Sequence, residues 1–438
     1  MSEPLRLGVA GLGTVGSALI QLVHNKQNML ADRCGRTIRV TGMNARTAGR
    51  DRGFSTDGMK WFDNPADLAV SDDIDVFVEL MGGEDEPALG AVKAALSAGK
   101  HVVTANKALL AKHGVELALL AEENGVLLNC EAAVAGGIPI IKVMRESLTA
   151  NAVTRVFGIL NGTCNYILTR MEAEGMTFED CLADAQKLGY AEADPTFDIE
   201  GNDTAHKLAI LASLAFGTQI AGDAIYLEGI TKITIADIEA AKEMGYRIKL
   251  LGVATRTAAG VESRVHPAMV PLGSAIAEIG GVTNAVAIEA DTVGSLMMSG
   301  PGAGGDATAS AVAGDICDIA KSKPGRQHGP VLGQPANTLV PHERSAMTAH
   351  SGGYFLRLNV VDKPGTMASI ATRFAEHDIS LESIVQKRGA TDDGEAPIVL
   401  VTHETSEEAI GKALAGIQSD GRLLGEAQMI RIEKLNES

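Results

Sequence analysis

Short apolar runs that end in glycine or a polar turn alternate with helically spaced stretches through the N-terminal third of the chain. Leu5 to Gly11 is such a run, and helical spacing follows from Val15 to His24. Ile38 to Met43, Ile74 to Leu80 and His101 to Thr104 repeat the strand pattern, while Glu86 to Ala98 is Ala-rich and helical. Runs without polar alternation predict strands buried on both faces, as in a parallel sheet. Their alternation with helices predicts an α/β, Rossmann-like doubly wound sheet with right-handed crossovers.

From about Pro139 the pattern changes. Arg155 to Leu160, Val261 to Val270 and Ala285 to Ala290 read as strands, and Phe178–Leu188, Thr204–Phe216 and Ile235–Met244 as helices. This mixture predicts an α+β domain. The turn Gly300-Pro-Gly-Ala-Gly-Gly305 precedes an Ala-rich helix expected to return beside the first domain. Residues 322–352 are rich in proline and weakly periodic, which reads as a linker. Beyond it come a strand (Tyr354–Val361), a helix with Met367, Ile370 and Phe374 on one face, strands near Ile379–Gln386 and Pro397–Thr402, a helix (Ser406–Ile417) and a strand (Gln428–Ile432). That order, βαββαβ, is ferredoxin-like. The expected division is a dinucleotide domain over 1–138 completed by the helix at about 302–321, a substrate and dimerisation domain over 139–300, the linker, and a last domain over 353–438.

Composition narrows the class. Aromatic residues are only 3% of the 438, so aliphatic side chains fill the core, and 49 glycines suit tight α/β turns. A net charge of -17 argues against nucleic acid or an anionic membrane as partner. The five cysteines are odd in number, with no C-x-x-C pair, and read as buried thiols in a reducing compartment. No signal peptide and no membrane-length apolar run is evident, so a cytoplasmic protein is expected.

Gly11-Leu-Gly13-Thr14-Val15-Gly16 is G-x-G-x-x-G placed between first strand and first helix, the context a dinucleotide site requires. The helix N-terminus offers free N–H groups to a pyrophosphate. The second strand ends in Met43-Asn44-Ala45-Arg46, with no acidic residue to hold the ribose of NAD. Arg46 would suit the 2′-phosphate of NADP, which favours NADP over NAD; a solvated surface arginine is the plainer alternative.

Hydride transfer to an aldehyde leaves an alkoxide, which needs a positioned proton donor or cation. Lys107 follows the strand ending at Thr104, where ligands of such sheets bind, although a surface lysine opening the next helix is the plainer reading. Lys207 is four residues from Asp203 on one helical face, and an ordinary ion pair is its alternative. Glu192, Asp194, Asp198 and Asp203 lie just upstream. Such a cluster would hold a substrate ammonium and keep Lys207 protonated. Calcium is a third possibility, at a spacing unlike an EF-hand.

The runs GLGTVG, VTANKALLA, EAAVAGGIPII, ILNGTCNYIL and above all LGYAEADPTFDIEGNDTAHKLAILA resemble homoserine dehydrogenase, over residues 1 to about 320. Residues 355–433, with Asp362-Lys363-Pro364-Gly365 before the helix, resemble an ACT domain. The resemblance implies reversible NAD(P)H-dependent reduction of L-aspartate 4-semialdehyde to L-homoserine, on the branch to threonine, methionine and isoleucine. It makes Lys207 the proton donor and Lys107 a second active-site lysine, and it places Glu192, Asp198, Asp203, Thr163 and Tyr190 in the amino-acid pocket. Thr104, Lys107 and Gly302 join the glycine loop and Arg46 against the cofactor. Glu131, Val134, Gly136 and Ile138 match a monovalent-cation site, usually sodium, where spacing alone shows only a Gly-containing turn. The ACT resemblance implies a homodimer or homotetramer and feedback by threonine bound near Gly365; a purely structural oligomerisation domain is the alternative. Rival readings are a dehydrogenase of another small amino acid and a non-enzymatic amino-acid sensor; the 189–207 segment argues against the first, the intact glycine loop and lysines against the second.

Overall fold

The computed structural model describes residues 3–322, 329–347, 350–386 and 395–434; the rest of the expected linker and of the last domain lies outside them. Strands β1 (Leu5–Ala10), β2 (Ile38–Asn44), β3 (Lys60–Trp61), β4 (Val76–Glu79), β5 (His101–Thr104) and β6 (Leu128–Asn129) form a sheet in the order β3-β2-β1-β4-β5-β6. Every pair in it is parallel. Helices α1 (Thr14–Asn25), α2 (Gln27–Cys34), α3 (Pro65–Ala69), α4 (Ala88–Ser97) and α5 (Lys107–Glu123) make the crossovers. Leu7, Val9, Val76, Val78, Val102 and Val103 are fully buried, which is why these strands show no polar alternation. Strand order reverses between β1 and β4, so the crevice for a ligand opens where their C-terminal loops part.

The middle region contains α6 (Ile140–Lys142), β7 (Val153–Ile159), α7 (Gly162–Glu174), α8 (Phe178–Lys187), α9 (Thr196–Ile199), α10 (Asn202–Phe216), β8 (Tyr226–Leu227), α11 (Ile235–Glu243), β9 (Tyr246–Thr257), β10 (Gly260–Pro271), β11 (Thr283–Ala290) and β12 (Gly294–Pro301). Helix α12 (Gly305–Lys321) then runs back to the first sheet. Its Ala309, Val312, Ile316 and Ile319 share one apolar cluster with Leu5, Leu7, Val9, Leu19 and Ile20.

The C-terminal unit is β13 (Ser351–Val361), α13 (Thr366–Ala375), β14 (Leu381–Gln386), β15 (Glu395–Thr402), β16 (Thr405–Ser406), α14 (Glu407–Ser419) and β17 (Gln428–Ile432). It keeps the expected βαββαβ order and adds the short β16. Its sheet is not separate from that of the middle region. One sheet runs β12-β11-β7-β9-β10-β17-β13-β15-β14, joined where Ala268 and Met269 of β10 pair in parallel with Arg431 and Ile432 of β17. The linker is strapped down as well. The Ala336 N–H donates to the Glu122 carboxylate of α5, Val340 exchanges main-chain bonds with Gly217 and Gln219, and Val261 does so with Glu343 and Ser345. None of the described helices is long and apolar enough to cross a membrane. Cys34, Cys130, Cys164 and Cys181 are buried thiols and Cys317 is half-buried.

Candidate active site

Two half-sites face each other across the crevice. In the first, Gly11 has φ +98°, and a Cβ there would lie 2.3 Å from the Leu80 carbonyl oxygen. A Cβ on Gly16 would lie 2.0 Å from the Gly11 oxygen, whereas one on Gly13 would meet open space. The first and last glycines therefore serve the turn and its packing, and the middle one keeps the approach to the helix clear. Thr14 and Val15 open α1, whose first-turn N–H groups point outward without helical partners. A cleft of about 800 Å³ is lined by Gly11 to Gly13, Asn44 to Thr47, Arg50, Arg52 and Leu80 to Gly82. Arg46 is exposed at this cleft. Arg52 is fixed beside it by the carbonyls of Leu12 (3.3 Å), Arg50 (2.9 Å) and Thr47 (2.6 Å).

Thr104 is fully buried under the crevice. Its hydroxyl donates to Glu79 Oε2 at 2.6 Å and accepts from the Asn106 N–H at 3.0 Å. Glu79 Oε1 takes the N–H groups of Met81 (2.7 Å) and Gly82 (3.1 Å), which shapes the loop along the cleft. Asn106 caps α5 through the Leu109 N–H and donates to the Gly83 carbonyl. Lys107, the first residue of α5, is thus aimed by a braced cap. Glu79 is no part of the motifs above, and its signal in the sequence is an acidic residue inside an apolar strand run.

In the second half-site α10 starts after Gly201, at φ +89°, and buries both Asp203 and Lys207 on one face. Lys207 Nζ donates to Asp203 Oδ2 at 2.7 Å and to the Leu160 carbonyl at 2.7 Å. Lys107 Nζ reaches Asp203 Oδ1 at 3.1 Å from the other domain. One carboxylate is therefore shared by two ammonium groups and closes the crevice. Burial pushes the Asp203 carboxyl up, but Lys207 and Lys107 outweigh it and hold the group far below the usual range. Asp198 moves the other way, raised by burial and by the nearby Asp203 charge. Asn161 ties the two acids together, donating to Asp198 Oδ1 and Asp203 Oδ2 at 2.9 Å each, while its own oxygen caps α7 at Cys164. The Thr163 hydroxyl donates to the Tyr190 carbonyl at 2.7 Å and lies 3.3 Å from Asp198 Oδ2. The structure thus gathers Lys107, Lys207, Asp198, Asp203 and Thr163. Tyr190 packs edge-on against Tyr166 and is half exposed, and Glu192 and Asp194 sit on exposed loop. Among the described residues Glu192 takes part through its main-chain oxygen, which accepts from Gln186, and no group of three or more His, Cys, Asp or Glu is placed to hold a metal ion.

Glu131 is buried, and its two oxygens accept the N–H groups of Ile141 (2.9 Å) and Lys142 (2.8 Å). The carbonyls of Val134 and Gly136 accept no hydrogen bond among the described residues, and that of Ile138 accepts the Ile140 N–H at 2.8 Å. Ala135 and Gly136 are both left-handed, at φ +56° and +51°, so the turn is held in a conformation an alanine rarely adopts. The Glu131 carboxylate and the Val134 and Gly136 carbonyls are hard oxygen donors of the kind a monovalent cation takes. Gly302 lies against this turn, since a Cβ on Gly136 would stand 2.5 Å from the Gly302 oxygen.

The chain matches the family profiles described as "Homoserine dehydrogenase" over residues 139–317 and "Homoserine dehydrogenase, NAD binding domain" over 11–131. An "ACT domain" profile matches 354–418. It is 45% identical to the homoserine dehydrogenase of Pseudomonas aeruginosa across 99% of this chain and 100% of that one. Among solved structures, the homoserine dehydrogenase of Thiobacillus denitrificans superposes with a TM-score of 0.92 at 42% identity, covering 98% of both chains. A hyperthermophilic archaeal homoserine dehydrogenase in complex with NADPH superposes with a TM-score of 0.60 at 27% identity over 72% of this chain and 96% of that one.

Proposed function

Because the chain belongs to the homoserine dehydrogenase family, we propose that Lys207 and Lys107, joined through Asp203, form the catalytic centre for reduction of L-aspartate 4-semialdehyde to L-homoserine. The observation that carries this reading is the single carboxylate shared by lysines of two domains. A bound nicotinamide cofactor supplies the hydride. Asp203 and the Leu160 carbonyl take two of the Lys207 protons, leaving the third for the substrate oxygen as negative charge develops there. Lys107 adds a second positive charge at the crevice. Asp198, with Glu192 on the exposed loop before it, receives the substrate ammonium, and Thr163 and Tyr190 complete the pocket. Turnover of Lys207→Ala against wild type, with cofactor affinity measured in parallel, tests the assignment; unchanged turnover would remove it.

NADP is the preferred cofactor in this reading, with Arg46 against its 2′-phosphate. The exposed guanidinium beside the glycine-loop cleft supports it, as does the NADPH found with the archaeal relative. Comparing kcat/KM for NADPH and NADH in wild type and Arg46→Ala tests it. Sodium, or another monovalent cation, binds Glu131 with the carbonyls of Val134, Gly136 and Ile138; activity in sodium chloride against choline chloride is the check. The enzyme works in the cytoplasm as a homodimer or homotetramer. Copies pair through the edge strand β14, where Ile384 is 50% exposed; the sedimentation coefficient tests this. Threonine binds near the exposed turn at Gly365 and inhibits, as product of the branch that also leads to methionine and isoleucine. A flat activity curve against threonine would end that part of the reading.

A further inference from the structure

Lys207 is aimed by two acceptors, and one of them is itself held. The Leu160 carbonyl, just beyond β7, accepts Lys207 Nζ at 2.7 Å and also Asn284 Nδ2 of β11 at 3.0 Å. We propose that Asn284 is a positioning residue for the proton donor: its amide fixes the Leu160 carbonyl, and through it the direction of the Lys207 ammonium. The inference rests on the reading of Lys207 given above.

Asn284 is only 1% exposed, and its Oδ1 is buried without a hydrogen-bond partner among the described residues. Leucine has nearly the same shape and would fill the place without an orphaned polar atom, so packing does not account for an amide here. The orientation of that amide is set by its neighbour. The Leu160 oxygen can only accept, so nitrogen must face it and Oδ1 is left over.

The surroundings leave the amide little freedom. A Cβ on Gly302 would lie 2.0 Å from both Cγ and Nδ2 of Asn284, so the turn between β12 and α12 presses on the amide as closely as a glycine backbone permits. On the neighbouring strand, Asn284 pairs in register with Gly300 of β12. The side chain therefore stands between the glycine turn that closes the first domain and the acceptor that aims Lys207. With two ammonium protons fixed on Asp203 and Leu160, the third has one direction; a carbonyl free to rotate would lose it.

Steady-state kinetics of the full chain with aspartate 4-semialdehyde, using reduced cofactor with hydrogen or deuterium at C4, test this in Asn284→Leu, Asn284→Asp and Lys207→Ala side by side. In Asn284→Leu, kcat is expected to fall about 10- to 100-fold, the usual effect of an ångström-scale misplacement. The KM for cofactor should stay within about threefold, and the isotope effect on kcat should rise as chemistry becomes limiting. Asn284→Asp, which turns an oxygen toward the Leu160 oxygen, should lose more. A packing role alone predicts a lower thermal midpoint with kcat per folded enzyme and isotope effect unchanged, and that result overturns the proposal. Should Asn284→Leu fail to fold, Asn284→Asp, the same shape as the native residue, decides between the same two results. Loss of turnover in Lys207→Ala with native kcat in both Asn284 variants removes only the role of Asn284. Near-native turnover in Lys207→Ala removes the reading beneath it.

Discussion

Two buried clusters of charge invite comparison, one at the crevice and one where β10 meets β17. At the crevice, two lysines share Asp203, Lys107 keeps a third of its side chain exposed, and Asp198 next door is raised by burial and like charge. At the sheet junction, Arg264 contacts Glu262 and Glu433 (2.7 Å to the latter), Arg155 contacts the other Glu433 oxygen, and Arg431 holds Glu228 and Glu407 at 2.8 and 2.7 Å. His266, fully buried, accepts from Arg264 Nε through Nε2. The junction pairs each of its arginines with carboxylates of its own, whereas the crevice leaves an ammonium proton of Lys207 uncommitted. At the junction the buried charge joins two units of the sheet; at the crevice it is the cluster on which the proposed reaction rests.

The contrast sets the order of expected effects. Lys207→Ala should cut turnover by roughly two to four orders of magnitude, with a smaller loss of melting temperature than of activity because Asp203 keeps Lys107 and Asn161, measured as kcat beside a calorimetric scan. Arg264→Leu should do the reverse. It removes the arginine that Glu433 and Glu262 share, leaving them Arg155 and His350, and removal of one partner from a buried pair costs about 3–5 kcal/mol, while kcat of the folded enzyme stays within about threefold in a denaturant series. Asp203→Asn should lower kcat about 100-fold by releasing both lysines; native kinetics would show that the shared carboxylate is not what aims them. Arg46→Ala should lower kcat/KM for NADPH about tenfold with that for NADH unchanged, the loss of one charge-assisted contact.

The smallest effect is on pH. Burial lowers the pKa of His266, so the unfolded chain binds the proton more readily than the folded one. Its stability contribution is complete above about 6.5 and is lost as pH falls through the depressed folded value. Burial raises Glu433, but Arg264 and Arg155 hold it well below its usual range, so its contribution persists until far lower pH. The melting temperature should therefore drop by a few degrees from pH 7 to pH 5, a drop that His266→Phe should flatten.

Much of the first sheet is legible in the sequence. β5 has the limits read from HVVT, and β2 and β4 differ from the reading by one or two residues, because strands buried on both faces leave a plain apolar run. Strands β9 and β12 are not legible there: the first follows α11 across a single glycine turn, and the second, on the sheet edge, has only Leu296, Met297 and Met298 between glycines and serines. The joined sheet was invisible because only two residue pairs create it. At the site, Lys207 and Asp203 were readable from i, i+4 spacing. Asn161, Asn284 and the Leu160 carbonyl were not, since a main-chain acceptor carries no side-chain signal and a lone asparagine in a strand looks like any polar residue.

The central claim is that the Lys207 ammonium, aimed by Asp203 and Leu160, delivers a proton to the substrate oxygen. A crystal structure of the full chain with oxidised cofactor and homoserine tests it most directly. The account predicts Lys207 Nζ about 3 Å from the homoserine hydroxyl oxygen, with the Asp203 and Leu160 contacts retained. An ammonium turned toward bulk water, with another group on that hydroxyl, would contradict it.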